Sequence, residues 1–220
     1  MSQVIHSNDN NILPNSKPLA GFEQIKRYYH KERECHIAKI LPGEFYVCEQ
    51  REIISTVLGS CIAACIRDKK SAIAGMNHFM LPSQNANEEQ QPHSIIDEST
   101  RYGNWAMEYL INEILKNGGK RENLEVKIFG GGNVLKGMNN INIGERNIEF
   151  VRNYLKQEGL RIVGEDVGDI YPRKVLFYTD TGEVKMKKVH QEYLTTVERR
   201  EISYVQRIEQ KPQSGSVESF

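Results

Sequence analysis

The strongest constraint on how this chain can fold is a pair of apolar runs meeting at one short polar turn. Leu58-Gly59-Ser60-Cys61-Ile62-Ala63-Ala64-Cys65-Ile66-Arg67-Asp68 and Ala72-Ile73-Ala74-Gly75-Met76-Asn77-His78-Phe79-Met80-Leu81 are separated only by Lys69-Lys70-Ser71. Each run has strand length and is bounded by turn-forming polar residues, so together they read as a β-hairpin. Centring the turn between Lys69 and Lys70 pairs Asp68 with Ser71, Ile66 with Ile73, Ala64 with Gly75, and Cys61 with His78. Directly opposed residues of an antiparallel pair share a face, with Cβ atoms roughly 4.5–5.5 Å apart. A thiol and an imidazole at that separation can form the pair that makes a cysteine nucleophilic. The register is sensitive to the turn, because Lys-Lys is poor two-residue turn chemistry and another loop length moves His78. On pattern alone, a catalytic dyad and a small buried cysteine beside a satisfied core histidine are equally good readings.

The rest of the chain narrows the classes of function. Lysine plus arginine equals aspartate plus glutamate, 29 each in 220 residues, so there is no electrostatic footprint for nucleic acid or an anionic membrane. Residues 1–15 lack the apolar stretch of a secretory signal, and no apolar run approaches the ~20 residues of a membrane helix. A cytoplasmic protein with no direct membrane insertion is expected. Cys35, Cys48, Cys61 and Cys65 are too few and too irregular for a disulfide scaffold, and no paired ligand spacing indicates a metal. No cofactor is expected.

Three segments are predicted: a disordered stretch over 1–20, one folded domain over 21–205, and a disordered tail over 206–220. Strands are expected at Glu44–Glu49 and Glu52–Val57, followed by the hairpin and a mobile loop from Pro82 to Pro92. A helix over Thr100–Asn117 carries Trp105 and Tyr109, which read as core anchors. A strand over Glu125–Phe129 ends in Gly130-Gly131-Gly132, which reads as a tight turn or as the border of a site. A second helix covers Gly144–Gly159, and Lys174–Thr179 and Glu183–Val189 flank the turn Asp180-Thr181-Gly182. Strands first and helices interspersed later indicate α+β.

Several separated motifs together resemble the CheD family of chemoreceptor glutamine deamidases. They are Leu58-Gly59-Ser60-Cys61, Gly75-Met76-Asn77-His78-Phe79-Met80-Leu81-Pro82, Phe129-Gly130-Gly131-Gly132 and Asn142-Ile143-Gly144-Glu145-Arg146-Asn147, with Arg27-Tyr28-Tyr29 and Leu41-Pro42-Gly43-Glu44 nearer the start. The resemblance spans about Phe22 to Val197. It implies a single layered α/β sandwich-like domain with a catalytic hairpin and flanking helices. It also implies a protein-glutamine glutaminase, an amidohydrolase with Cys61 as nucleophile and His78 as base. The family's third residue is a threonine six positions before the cysteine; that position holds Ser55, with Thr56 adjacent. The matching offset makes Ser55 the first choice to orient His78. Backbone N–H groups at Ser60 and Cys61, opened by Gly59, are the candidate oxyanion donors, with Thr56 and Asn77 as further site-lining residues. The implied partners are the cytoplasmic helices of methyl-accepting chemotaxis receptors and a CheC-type phosphatase. The competing class is a non-catalytic chemotaxis regulator that binds receptors or that phosphatase.

Overall fold

Ten strands and three helices are found in a computed structural model that describes residues 16–82, 98–134, 143–189 and 194–210. The expected disorder at 1–15 and 211–220 and the expected loop over 83–92 lie outside the described residues. Strands β1 (Lys26–His30), β2 (Cys35–Lys39), β4 (Glu52–Leu58), β9 (Arg173–Tyr178) and β10 (Val184–Lys188) form one sheet in the order β1-β2-β4-β9-β10. Strands β3 (Phe45–Cys48), β5 (Ile62–Asp68), β6 (Ala74–Asn77), β7 (Leu124–Gly130) and β8 (Ile162–Val167) form the second, in the order β3-β6-β5-β7-β8. Helix α1 (Glu98–Lys116) packs on β3, β5 and β6, and α2 (Ile143–Gln157) packs on β5 and α1. The third helix, α3, runs Leu194–Gln210. The α+β class and the layered sandwich expected from the sequence are what the chain adopts.

The two sheets share one core. Ile54, Leu58, Val175 and Phe177 from the first sheet join Ile62, Ala64, Ile66, Met76, Val126 and Ile128 from the second in one buried cluster. Strand β4 alternates between two environments, as period-two geometry requires. Ile54 and Leu58 enter the shared core, whereas Ile53 packs on the other face with Cys35 and Ile37. Between β4 and β5 the chain leaves one sheet and enters the other through Gly59-Ser60-Cys61. The candidate nucleophile therefore stands on the seam between the sheets.

The hairpin is present with a different register. Ile66 pairs with Gly75, Cys65 with Met76 and Arg67 with Ala74, and Ile62 bridges Phe79, two residues from the expected pairing. The cause lies in Asp68. Its Oδ1 accepts from the N–H groups of Lys70 at 2.7 Å and Ser71 at 3.1 Å, while its own N–H donates to Ile73 O at 3.0 Å. This side-chain turn lengthens the loop and moves its centre to Lys70 and Ser71. A two-residue slip leaves every side chain on its original face. Cys61 and His78 thus still share a face, diagonally instead of directly opposed.

One other expectation is corrected. Trp105 and Tyr109 are each 48% exposed, with ring centroids 4.4 Å apart, and Tyr109 reaches the sheet through an edge contact with the Phe45 ring of β3. Ser16 accepts hydrogen bonds from Arg27 through its carbonyl at 2.5 Å and its hydroxyl at 2.9 Å.

Candidate active site

Cys61 lies immediately before β5 and His78 immediately after β6, so each is fixed by a strand without being part of its ladder. The backbone around Cys61 is clamped from three sides. Gly131 N–H donates to Cys61 O and Gly132 N–H to Gly59 O, both at 2.7 Å. Asn147, from the Ile-Gly-x-Arg-Asn segment on α2, donates Nδ2–H to Ser60 O at 2.8 Å and accepts from Leu81 N–H at 2.9 Å. One amide thereby ties the cysteine loop to the segment that follows His78. Gly130 must be glycine here: its φ is +116°, and a Cβ would collide with the Cys61 carbonyl oxygen. The triple glycine is a tight strand end and also borders the site, so both readings of it hold.

His78 is held by Thr56. Thr56 Oγ1 lies 2.7 Å from His78 Nδ1 and donates its own proton to Ile40 O at 2.9 Å. A hydroxyl with one proton committed to a carbonyl can only accept from the ring, which places the imidazole proton on Nδ1. Nε2 is left with its lone pair and, among the described residues, no hydrogen-bond partner. Ser55, expected to orient the ring, cannot reach it. It follows Ile54 and precedes Thr56 on β4, and adjacent strand residues face opposite sides. Asn77 is corrected for the same reason. It faces away from His78, where Oδ1 accepts from Ala64 N–H at 2.8 Å and Nδ2–H donates to Ala106 O at 3.1 Å.

The residue that sequence reasoning missed is Glu201. Its Oε1 accepts from Gly59 N–H at 2.8 Å and Cys61 N–H at 3.2 Å, and its Oε2 from Ser60 N–H at 2.9 Å and Ser60 Oγ at 2.6 Å. The Ser60 and Cys61 N–H groups are those expected as oxyanion donors, and in this structure a carboxylate occupies them together with the Gly59 N–H. Gly59 makes room for it, since a Cβ there would stand 2.8 Å from Glu201 Oε2. A signal was available in the sequence. Val197, Glu201, Tyr204, Val205 and Ile208 recur at helical spacing, with one acid in an otherwise apolar stripe.

Cys61 Sγ, a His78 ring nitrogen and a Glu201 carboxylate oxygen all lie within 4.8 Å of one another. Cys61 is 0% exposed and His78 and Glu201 1% each. Burial drives the electrostatics. It pushes the Cys61 thiol well above its usual range, and the neighbouring Glu201 charge pushes it further. It also lowers His78 to about 3, so the imidazole is neutral near pH 7. The resting pair is therefore thiol and imidazole. Thiol, imidazole and carboxylate are also donor types that hold divalent cations. Both Glu201 oxygens are already engaged by N–H and O–H donors, which is the arrangement of an anion site.

Comparison with known proteins points to one family. The family model described as CheD chemotactic sensory transduction matches residues 80–188. A probable chemoreceptor glutamine deamidase CheD from Methylobacillus flagellatus is 56% identical over 193 residues, covering 88% of this chain and 94% of that protein. The protein of the same name from Halorhodospira halophila is 48% identical over 202 residues, covering 92% and 93%. A probable chemoreceptor glutamine deamidase CheD 1 from Shewanella oneidensis is 47% identical over 206 residues, covering 93% and 98%.

Proposed function

The chain belongs to the CheD family, and from that premise we propose that it hydrolyses glutamine side chains of chemoreceptors to glutamate and ammonia, with Cys61 as nucleophile and His78 as base. The observation that carries the assignment of roles is the meeting of three features at one point. A thiol, an imidazole whose Nε2 has no partner among the described residues and a set of converging N–H donors all surround the Glu201 carboxylate.

The chemistry follows from those groups. A carboxamide resists hydrolysis because resonance stabilises it and its nitrogen leaves poorly without a proton. Nε2 of His78 takes the Cys61 proton as Sγ attacks the amide carbon. The N–H groups of Gly59, Ser60 and Cys61 receive the developing oxyanion, a type of contact whose single donors typically carry about 10²–10³ in rate. The imidazolium protonates the departing nitrogen, ammonia leaves, and a thioester remains. His78 then draws a proton from water, which attacks the thioester and frees glutamate and the thiol. Thr56 accepts from Nδ1–H throughout, so it fixes the tautomer and steadies the imidazolium when it forms.

The target glutamines lie on the cytoplasmic helices of the receptors, and the protein acts in the cytoplasm. No described helix is long and apolar enough to cross a membrane. A CheC-type phosphatase is the second partner in this reading. The test is mass spectrometry of a receptor cytoplasmic fragment incubated with the protein. Conversion of glutamine to glutamate with wild type and none with Cys61→Ala is the expected result. A fragment unchanged by the wild-type protein would return the chain to the class of non-catalytic regulators.

A further inference from the structure

Helix α3 is amphipathic, and its buried stripe is Val197, Glu201, Tyr204 and Val205. Glu201 alone in that stripe is charged, and it is held by N–H groups and a hydroxyl and not by a cation. A structural acid in a buried stripe is ordinarily paired with a base. Here it ends beside a nucleophile and an unpartnered imidazole nitrogen. A glutamate is also what remains when a glutamine side chain has been hydrolysed, and a carboxylate cannot be attacked again.

We infer that the surface beneath α3 is the groove that receives a glutamine-bearing helix, and that α3 occupies it in the substrate's place with Glu201 as the hydrolysed side chain. This rests on the deamidase reading above. Alongside α3, Leu41, Tyr102, Trp105, Tyr204 and Arg207 line a space of about 680 Å³. Tyr102 and Tyr204 meet through their hydroxyls, and a Cβ at Gly43 would press into the Tyr204 ring. Helix and groove are thus fitted along more than one turn. With α3 seated, neither Cys61 nor His78 is open to solvent, so a receptor helix enters only when α3 lifts. The thiol raised by burial and by the Glu201 charge belongs to this covered state. The occupant is a helix carrying one glutamine on an apolar stripe, because that is what α3 itself presents apart from the oxidation-neutral exchange of NH₂ for O⁻.

The experiment converts the stand-in into a substrate. In the full chain carrying Glu201→Gln, attack by Cys61 on the introduced amide breaks the C–N bond and releases ammonia. Water then breaks the S–C bond and restores glutamate. Peptide mapping by mass spectrometry is expected to find glutamate at position 201, and to find the amide intact when Cys61→Ala is added. The same preparations are assayed on a receptor cytoplasmic fragment. Conversion at position 201 that depends on Cys61 supports the inference whether or not the receptor is modified, and an unmodified receptor then counts only against the receptor as target. An intact amide at 201 alongside a deamidated receptor overturns the inference and leaves the deamidase reading standing. No conversion of either overturns both. Should Glu201→Gln fail to fold, as judged by circular dichroism, the peptide 194–210 with glutamine at 201 is offered to the wild-type chain. Its deamidation supports the inference; its survival where the receptor fragment is deamidated overturns it.

Discussion

Thr56 and His78 set the chemistry residue by residue. Thr56→Ala removes the acceptor of the Nδ1 proton and frees Ile40 O, leaving a buried ring N–H unsatisfied. Losing such a partner typically costs about 1–3 kcal/mol, and turnover of a receptor fragment under single-turnover conditions should fall by the corresponding factor. Ser55→Ala should stay close to wild type, because that hydroxyl is on the far face of β4. His78 also makes stability depend on pH. Its folded value, lowered by burial to about 3, lies below the ordinary 6.5 of the unfolded chain. Below pH 6.5 the unfolded chain takes up a proton that the folded one refuses, so stability falls as pH drops toward 3. The slope from one such proton approaches about 1.4 kcal/mol per pH unit. Urea titrations across that range should show this loss in wild type and a shallower one in His78→Asn.

Asp68 plays the same part for an element. Its carboxylate closes the β5–β6 loop and also accepts from Lys120 N–H at 2.8 Å. Asp68→Ala should lower stability by about 1–3 kcal/mol in urea unfolding. Turnover below the transition should persist, because the loop is at the opposite end of the hairpin from Cys61. The expected hairpin, the two earlier helices and most later strands were legible because apolar runs and turn residues announce them. The two-residue register error came from a side chain acting as part of the turn, which periodicity does not report. It did not displace the dyad, since a shift of two preserves the face. Strands β1, β2 and β8 and helix α3 were not read from the sequence; β1 and β8 bury little, and their patterns are correspondingly weak. Choosing between Ser55 and Thr56 required knowing which face of β4 meets His78, and an offset in sequence carries no such information.

Across the whole molecule, the reactive groups are divided between the two sheets. Thr56 stands on β4 in one, whereas Cys61 and His78 adjoin β5 and β6 in the other. Among the described residues the sheets share no backbone ladder; they are joined by side-chain packing and by the four connections that pass from one to the other, Gly59-Ser60-Cys61 among them. A hydrogen bond of 2.7 Å that spans this boundary tolerates little sliding. The site therefore acts as an alignment gauge for its own scaffold. Urea concentrations that loosen side-chain packing but leave both ladders intact should silence turnover while the far-ultraviolet circular dichroism stays native. Loss of both signals at one concentration would mean that the sheets part only when the whole chain unfolds. On the expected result, the protein fails as a catalyst while it still succeeds as a fold.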